Sequence, residues 1–138
     1  MYITIKIDLV SGLYAYDDWA CEIELDQKIT LRELHEIILT SVGFDNDHLY
    51  EFFISRREFG SNKESFDDEM YSLDTSLYGL FPLPKGKKLF YWFDFGDDWK
   101  FQISKTRSAP KPLVDGIHYP RVVKESGIKP EQYAECDW

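Results

Sequence analysis

The densest chemical grouping in the sequence is Asp94-Phe95-Gly96-Asp97-Asp98-Trp99, which sets three carboxylates within five residues. Hard cations take oxygen ligands of this kind, but the ligand spacing of a calcium loop is missing. Asp94-Phe95-Gly96 also spells the magnesium-binding triplet of protein kinases. No glycine-rich phosphate loop or HRD-type catalytic loop accompanies it, and the chain is far too short for that fold. The structural reading is a hairpin turn in which Gly96 supplies a positive φ. Asp94 and Asp97 would accept backbone N–H groups or a donor such as Arg121, while Trp99 enters the core.

Three histidines could serve as bases or metal ligands: His35, His48 and His118. No HExxH or CxxC spacing organises them. His35 reads as a solvent-facing helical residue among acids. His48, flanked by Asp45 and Asp47, fits a local structural role better than catalysis. No GxSxG elbow is present, and neither Cys21 nor Cys136 has a basic activator nearby in sequence. The sequence therefore assigns no catalytic residue, no metal site and no cofactor.

Apolar residues make up 43% of the 138, charged residues 30% and aromatics 17%, a composition that can fold as one domain spanning residues 1–138. The net charge of −9 disfavours a general nucleic-acid or anionic-membrane binder, since phosphate affinity rests on Lys and Arg. Residues 44–74 hold an excess of acids, whereas residues 85–112 hold an excess of bases interleaved with Phe90, Tyr91, Trp92 and Phe93. Such interleaving can bind single strands, but here the aromatics follow a buried-strand pattern with bases at the turns. The two cysteines, far apart, read as reduced thiols of a cytoplasmic protein. Residues 1–20 alternate rather than forming a signal peptide, and Leu89–Phe93 is too short to span a membrane.

Elements follow from periodicity. Ile3, Ile5, Ile7 and Leu9, then Trp19, Cys21, Ile23 and Leu25, alternate with polar residues and predict a first hairpin. Thr30 and Glu33 form a capping box ahead of Leu31, Leu34, Ile38 and Val42, with Gly43 as the stop; a twelve-residue helix is expected. Leu49–Ile54 predicts a strand, residues 58–76 a long polar loop, and residues 89–95 with 99–103 a second hairpin with a central strand buried on both faces. A short strand over His118–Val123 and a helical turn near Pro130 complete the chain. The fold class expected is α+β: one mixed sheet of five to six strands with the main helix packed across it. Its order of hairpin, helix, strand, long loop and hairpin is β-grasp-like.

Three strings, Tyr91–Trp99 (YWFDFGDDW), Gly43–Phe52 (GFDNDHLYEF) and His118–Val123 (HYPRVV), together resemble the Ri-plasmid open-reading-frame-3-like family, which includes TnpR-like passenger proteins of an insertion element. The resemblance runs from the TLRELH helix to the PEQY tail. It implies a prokaryotic α+β domain found on chromosomes, plasmids and mobile elements, with no settled activity. The resemblance matches His48, Tyr50, Asp94, Gly96, Asp97, Trp99, Tyr119, Pro120 and Arg121, and the candidate ligand-binding or motif residues are His48, Tyr50, Asp94, Asp97, Asp98, Trp99, Tyr119 and Arg121. Phe101 stands where relatives often have a histidine, Val122 where they often have a cysteine, and Ile128–Gln132 where they have a CPPED-like segment. A resolvase role lacks an activated serine and a basic DNA-binding module. The functional expectation is a non-enzymatic interaction or accessory module whose acidic surface engages a protein partner, with a mobile-element-associated inhibitor as one form of it. No direct nucleic-acid or membrane binding is expected. The alternative is a small-ligand or metal-dependent enzyme using the Asp94/Asp97/Asp98 turn with His48 or Arg121.

Overall fold

A computed structural model describes residues 1–59, 62–67 and 72–133. Cys136 lies outside the described residues. The strands are β1 (Tyr2–Ser11), β2 (Trp19–Asp26), β3 (Tyr50–Ser55), β4 (Glu64–Phe66), β5 (Lys88–Phe93), β6 (Trp99–Lys105) and β7 (Arg121–Gly127). They form one sheet in the order β4-β3-β5-β6-β1-β2-β7. Helix α1 spans Leu31–Val42, and a short α2 spans Leu77–Leu80.

Local sequence explains these elements. In β1 and β2 the alternation places Ile3, Ile5, Ile7, Trp19, Cys21, Ile23 and Leu25 in the core, with Ile5 opposite Ile23. Thr30 caps α1: its hydroxyl accepts the Glu33 N–H while the Glu33 carboxylate accepts the Thr30 N–H. The helix ends at Gly43, whose φ of 83° is the left-handed conformation that suits glycine. On β5 and β6, Leu89, Tyr91, Phe93, Trp99, Phe101 and Ile103 face the same core, as do Leu34, Ile38 and Phe52. Phe90 is buried on the opposite face of the sheet against Phe53, so β5 is covered on both sides.

The expected mixed sheet of five to six strands in β-grasp-like order, with the helix packed across it, is overturned. Among the described residues there are seven strands, and every pairing is antiparallel. Seven strands spaced about 4.8 Å apart make a sheet roughly 29 Å wide, whereas a helix is only about 10 Å across. Two strands escaped the pattern for physical reasons. β4 is three residues long and sits inside the polar stretch expected to be loop. β7 is an exposed edge strand along its whole length, so no apolar alternation announces it; it runs past the expected His118–Val123. Among the described residues no helix begins near Pro130. No described helix is long and apolar enough to cross a membrane.

The register sorts the loops to two ends. Tyr50 pairs with Phe93, Phe93 with Trp99, and Trp19 with Gly127. Loops 12–18, 43–49, 94–98 and 128–133 therefore share one end, tied by Leu13 N–H to the Asp97 carbonyl (2.8 Å) and Ile128 N–H to the Asp18 carbonyl (3.0 Å). At the opposite end Ser55 pairs with Lys88, Ile5 with Lys105 and Tyr2 with Lys111.

Candidate functional site

The first end of the sheet gathers Asp17, Asp18, Asp45, Asp47, Asp94, Asp97 and Asp98. The other carries Lys28, Arg56, Arg57, Lys85, Lys87, Lys88, Lys105, Arg107 and Lys111 on its loops and strand ends. The antiparallel sheet does this without any long-range charge pattern in the sequence, because its register sets which strand ends and loops share each end. The chain is thus both acidic and strongly polarised.

Within the acidic end, Asp94 is the organising residue. It is buried, adopts a φ of 58°, and its Oδ1 accepts the N–H groups of Gly96 and Asp97, each at 3.2 Å. Asp98 also adopts a positive φ, 60°, and its N–H donates to the Asp94 carbonyl at 2.6 Å. The expected positive φ at Gly96 is therefore displaced onto two aspartates, residues whose short side chains tolerate it. Arg121 is no donor to this turn: it pairs with Glu24 at 2.6 Å across β2 and β7.

His48 sits beside the turn, its Nε2 3.3 Å from Asp94 Oδ2 and 2.7 Å from the Tyr133 hydroxyl. Tyr133 donates in turn to Asp47, and Gln132 clamps the same loop by accepting the Asp45 N–H and donating to Asp47 Oδ1 at 3.0 Å. The Tyr133 hydrogen bond, followed by the charge of His48, holds the Asp47 carboxyl below its ordinary range; the same bond pushes the Tyr133 phenol up to about 12. Partial burial and the neighbouring Asp94 carboxylate raise Asp97 above the usual carboxylate range.

The other candidates go elsewhere. Tyr50 lies beneath the cluster, stacked on His35 with ring centres 3.5 Å apart. Asp98 turns to Lys100 at 3.3 Å on the opposite face, where the buried Lys100 ammonium also lies over the Phe59 ring. Trp99 is fully buried in the core, packed edge-on to Phe44. Tyr119 stacks on Tyr2, far from the turn in register. His48, Asp94 and Asp97 converge; Asp98, Tyr119 and Arg121 do not. Among the described residues no group of three or more His, Cys, Asp or Glu side chains is arranged to hold a metal ion.

Sequence reasoning missed His35, Gln132 and Tyr133. His35 is buried rather than exposed, with Nε2 3.1 Å from Asn46 Oδ1 and Nδ1 2.5 Å from the Tyr91 hydroxyl. With Asn46 Oδ1 accepting, the proton is on Nε2 and Nδ1 accepts from Tyr91. The signal was present: position 35 is four after Leu31 and three before Ile38, on the apolar stripe.

A wholly antiparallel seven-stranded sheet with one long helix and a His-Asp-Tyr cluster at one end defines the class of this domain. The chain belongs to the family of plasmid pRiA4b ORF-3-like proteins, whose model matches residues 10–135. It is 30% identical over 111 residues to the uncharacterized protein y4hQ of Sinorhizobium fredii NGR234, covering 80% of this chain. The match spans 56% of that relative's length. The fold is also that of a protein of unknown function, MM3350 from Methanosarcina mazei Go1, with a TM-score of 0.71 at 20% identity. That likeness covers 90% of this chain and 68% of the other.

Proposed function

We propose that this protein is a non-enzymatic interaction or accessory module of the cytoplasm whose acidic end docks a basic surface on a protein partner. The observation carrying this reading is the concentration of seven aspartates at one end of the sheet, with nine of the sixteen Lys and Arg at the other. A pole of one sign steers a complementary partner into one orientation. The alternative enzyme would use the turn carboxylates with His48 or Arg121: His48 does lie beside Asp94, but Asp98 turns away to Lys100 and Arg121 is engaged with Glu24 near the far edge. An inhibitor carried by a mobile element, offering this end to a nucleic-acid-binding protein in place of DNA, is a specific form of the reading that suits the plasmid family.

The test is capture from a native lysate by the wild type and by an Asp17→Asn/Asp18→Asn/Asp45→Asn variant, with the bound fraction assayed for protein and small molecules. A basic protein retained by the wild type and lost from the variant supports the reading. Identical retention by both, or a small molecule as the sole bound species, contradicts it.

A further inference from the structure

At the basic end, α2 is held to the loop after β2: Tyr78 N–H donates to the Gln27 carbonyl (2.8 Å) and Leu77 N–H to the Ile29 carbonyl (2.9 Å). Between this anchored turn and β6 lies a groove of about 630 Å³, the size range of small-molecule sites. Its floor is apolar, formed by Ile3, Leu77 and Ile103, all buried. Tyr78, 67% exposed, stands at its edge as an aromatic wall with no packing role in the core.

The polar rim is of one sign. Among the described residues Lys87, Lys88 and Lys105 line the groove, and no Asp or Glu does. In a chain where acids outnumber bases by nine, that exclusion is informative. None of the three lysines has an ion-pair partner among the described residues, a state they share with Lys28, Lys85 and Lys111.

We propose that this groove binds a small amphipathic anion, its carboxylate or phosphate held by Lys87, Lys88 and Lys105 and its apolar body lying on Leu77, Ile103 and Tyr78. The charge requirement comes from the unpaired lysines, and the apolar body from the floor. Neither inorganic phosphate nor a neutral alcohol satisfies both. The site is at the opposite end from the aspartates, so it stands or falls independently of the interaction reading.

The experiment is isothermal titration calorimetry with octyl phosphate, octanoate, octanol and inorganic phosphate, on the wild type and on Lys87→Gln/Lys88→Gln/Lys105→Gln. The better of the two amphipathic anions should bind at least about tenfold tighter than octanol or inorganic phosphate, and the triple variant should lose that preference. Which anion wins assigns the head group. Tyr78→Ser, a change at an exposed residue, should weaken the same anion while leaving the thermal melt in place. Binding unchanged in the triple variant, inorganic phosphate bound as tightly as the amphiphile, or no heat from either anion overturns the proposal.

Discussion

Asp94 is the residue through which the acidic turn can be tested most sharply, because three separable properties meet in one side chain. Its Oδ1 accepts two backbone N–H groups at 3.2 Å, its Oδ2 faces His48 at 3.3 Å, and its backbone holds a φ of 58°. Asp94→Ala removes both acceptors and leaves a Cβ residue in the left-handed region. The exposed Gly96 N–H can turn to water, but the half-buried Asp97 N–H cannot do so freely. One unsatisfied donor at about 1–2 kcal/mol and about 1 kcal/mol of backbone strain together cost roughly 2–3 kcal/mol. Asp94→Asn keeps an oxygen acceptor and a side chain that tolerates this φ, and loses only the charge toward the half-exposed His48; its cost should stay below about 1 kcal/mol. Asp94→Gly relieves the φ but not the acceptors, and should fall between them at about 1–2 kcal/mol. Urea unfolding at pH 7 reads the order as Asn above Gly above Ala, with the Ala midpoint lowered by about 1–2 M. Equal midpoints for Asn and Ala would refute the hydrogen-bonding assignment, and a Gly variant as stable as wild type would show that strain alone matters.

The remaining predictions are these. Phe93, fully buried against Phe44, His35 and Tyr91, should lose about 3–5 kcal/mol on truncation to Ala; an unchanged denaturant midpoint would place the strand in the wrong phase. Asp97 has a raised folded pKa, so its contribution favours folding only at low pH and is lost as pH climbs through the carboxylate range. Asp97→Asn should therefore match or exceed wild-type stability at pH 7, with the advantage vanishing toward pH 3; a marked loss at pH 7 would contradict the repulsion with Asp94. Burial, with Glu125 and Asp8 adding to it, pushes the Cys21 thiol up to about 12, so the folded chain keeps that proton longer than the unfolded one. Its share of stability is complete below 9.0 and lost between 9.0 and about 12, and thiol labelling at pH 8 in a Cys136→Ser background should require unfolding. Rapid labelling of the native variant would show the site to be open.

What could be read from the sequence depended on whether burial or topology decided it. β1, β2, β5, β6 and α1 bury a full face, so Ile5, Ile23, Leu34 and Tyr91 declared their phase through periodicity alone. β7 pairs with β2 by its backbone while its side chains stay in solvent, and backbone pairing leaves no mark in a hydrophobicity pattern. The site divided in the same way. Asp94 and His48 were singled out by local residue type, but their partner Tyr133 lies 85 residues from His48 and comes to it only when the tail folds back. The gathering of seven aspartates at one end is likewise a product of strand order. Arg121 was set beside the turn because both belong to recognisable strings, and the sheet separates them.

The central claim, that position rather than net charge makes the acidic end a docking surface, can be measured without knowing the partner. Binding to an immobilised poly-lysine surface by biolayer interferometry, at several salt concentrations, should compare two variants that each remove three negative charges. Asp17→Asn/Asp18→Asn/Asp45→Asn neutralises the acidic end, and Glu58→Gln/Glu64→Gln/Asp115→Asn takes the same charge from the rest of the surface. The prediction is that the first loses most of the binding and flattens its salt dependence while the second stays close to wild type. Equal losses from both variants would mean that only the overall charge of −9 matters, and would contradict the assignment of the aspartate end as the interaction surface.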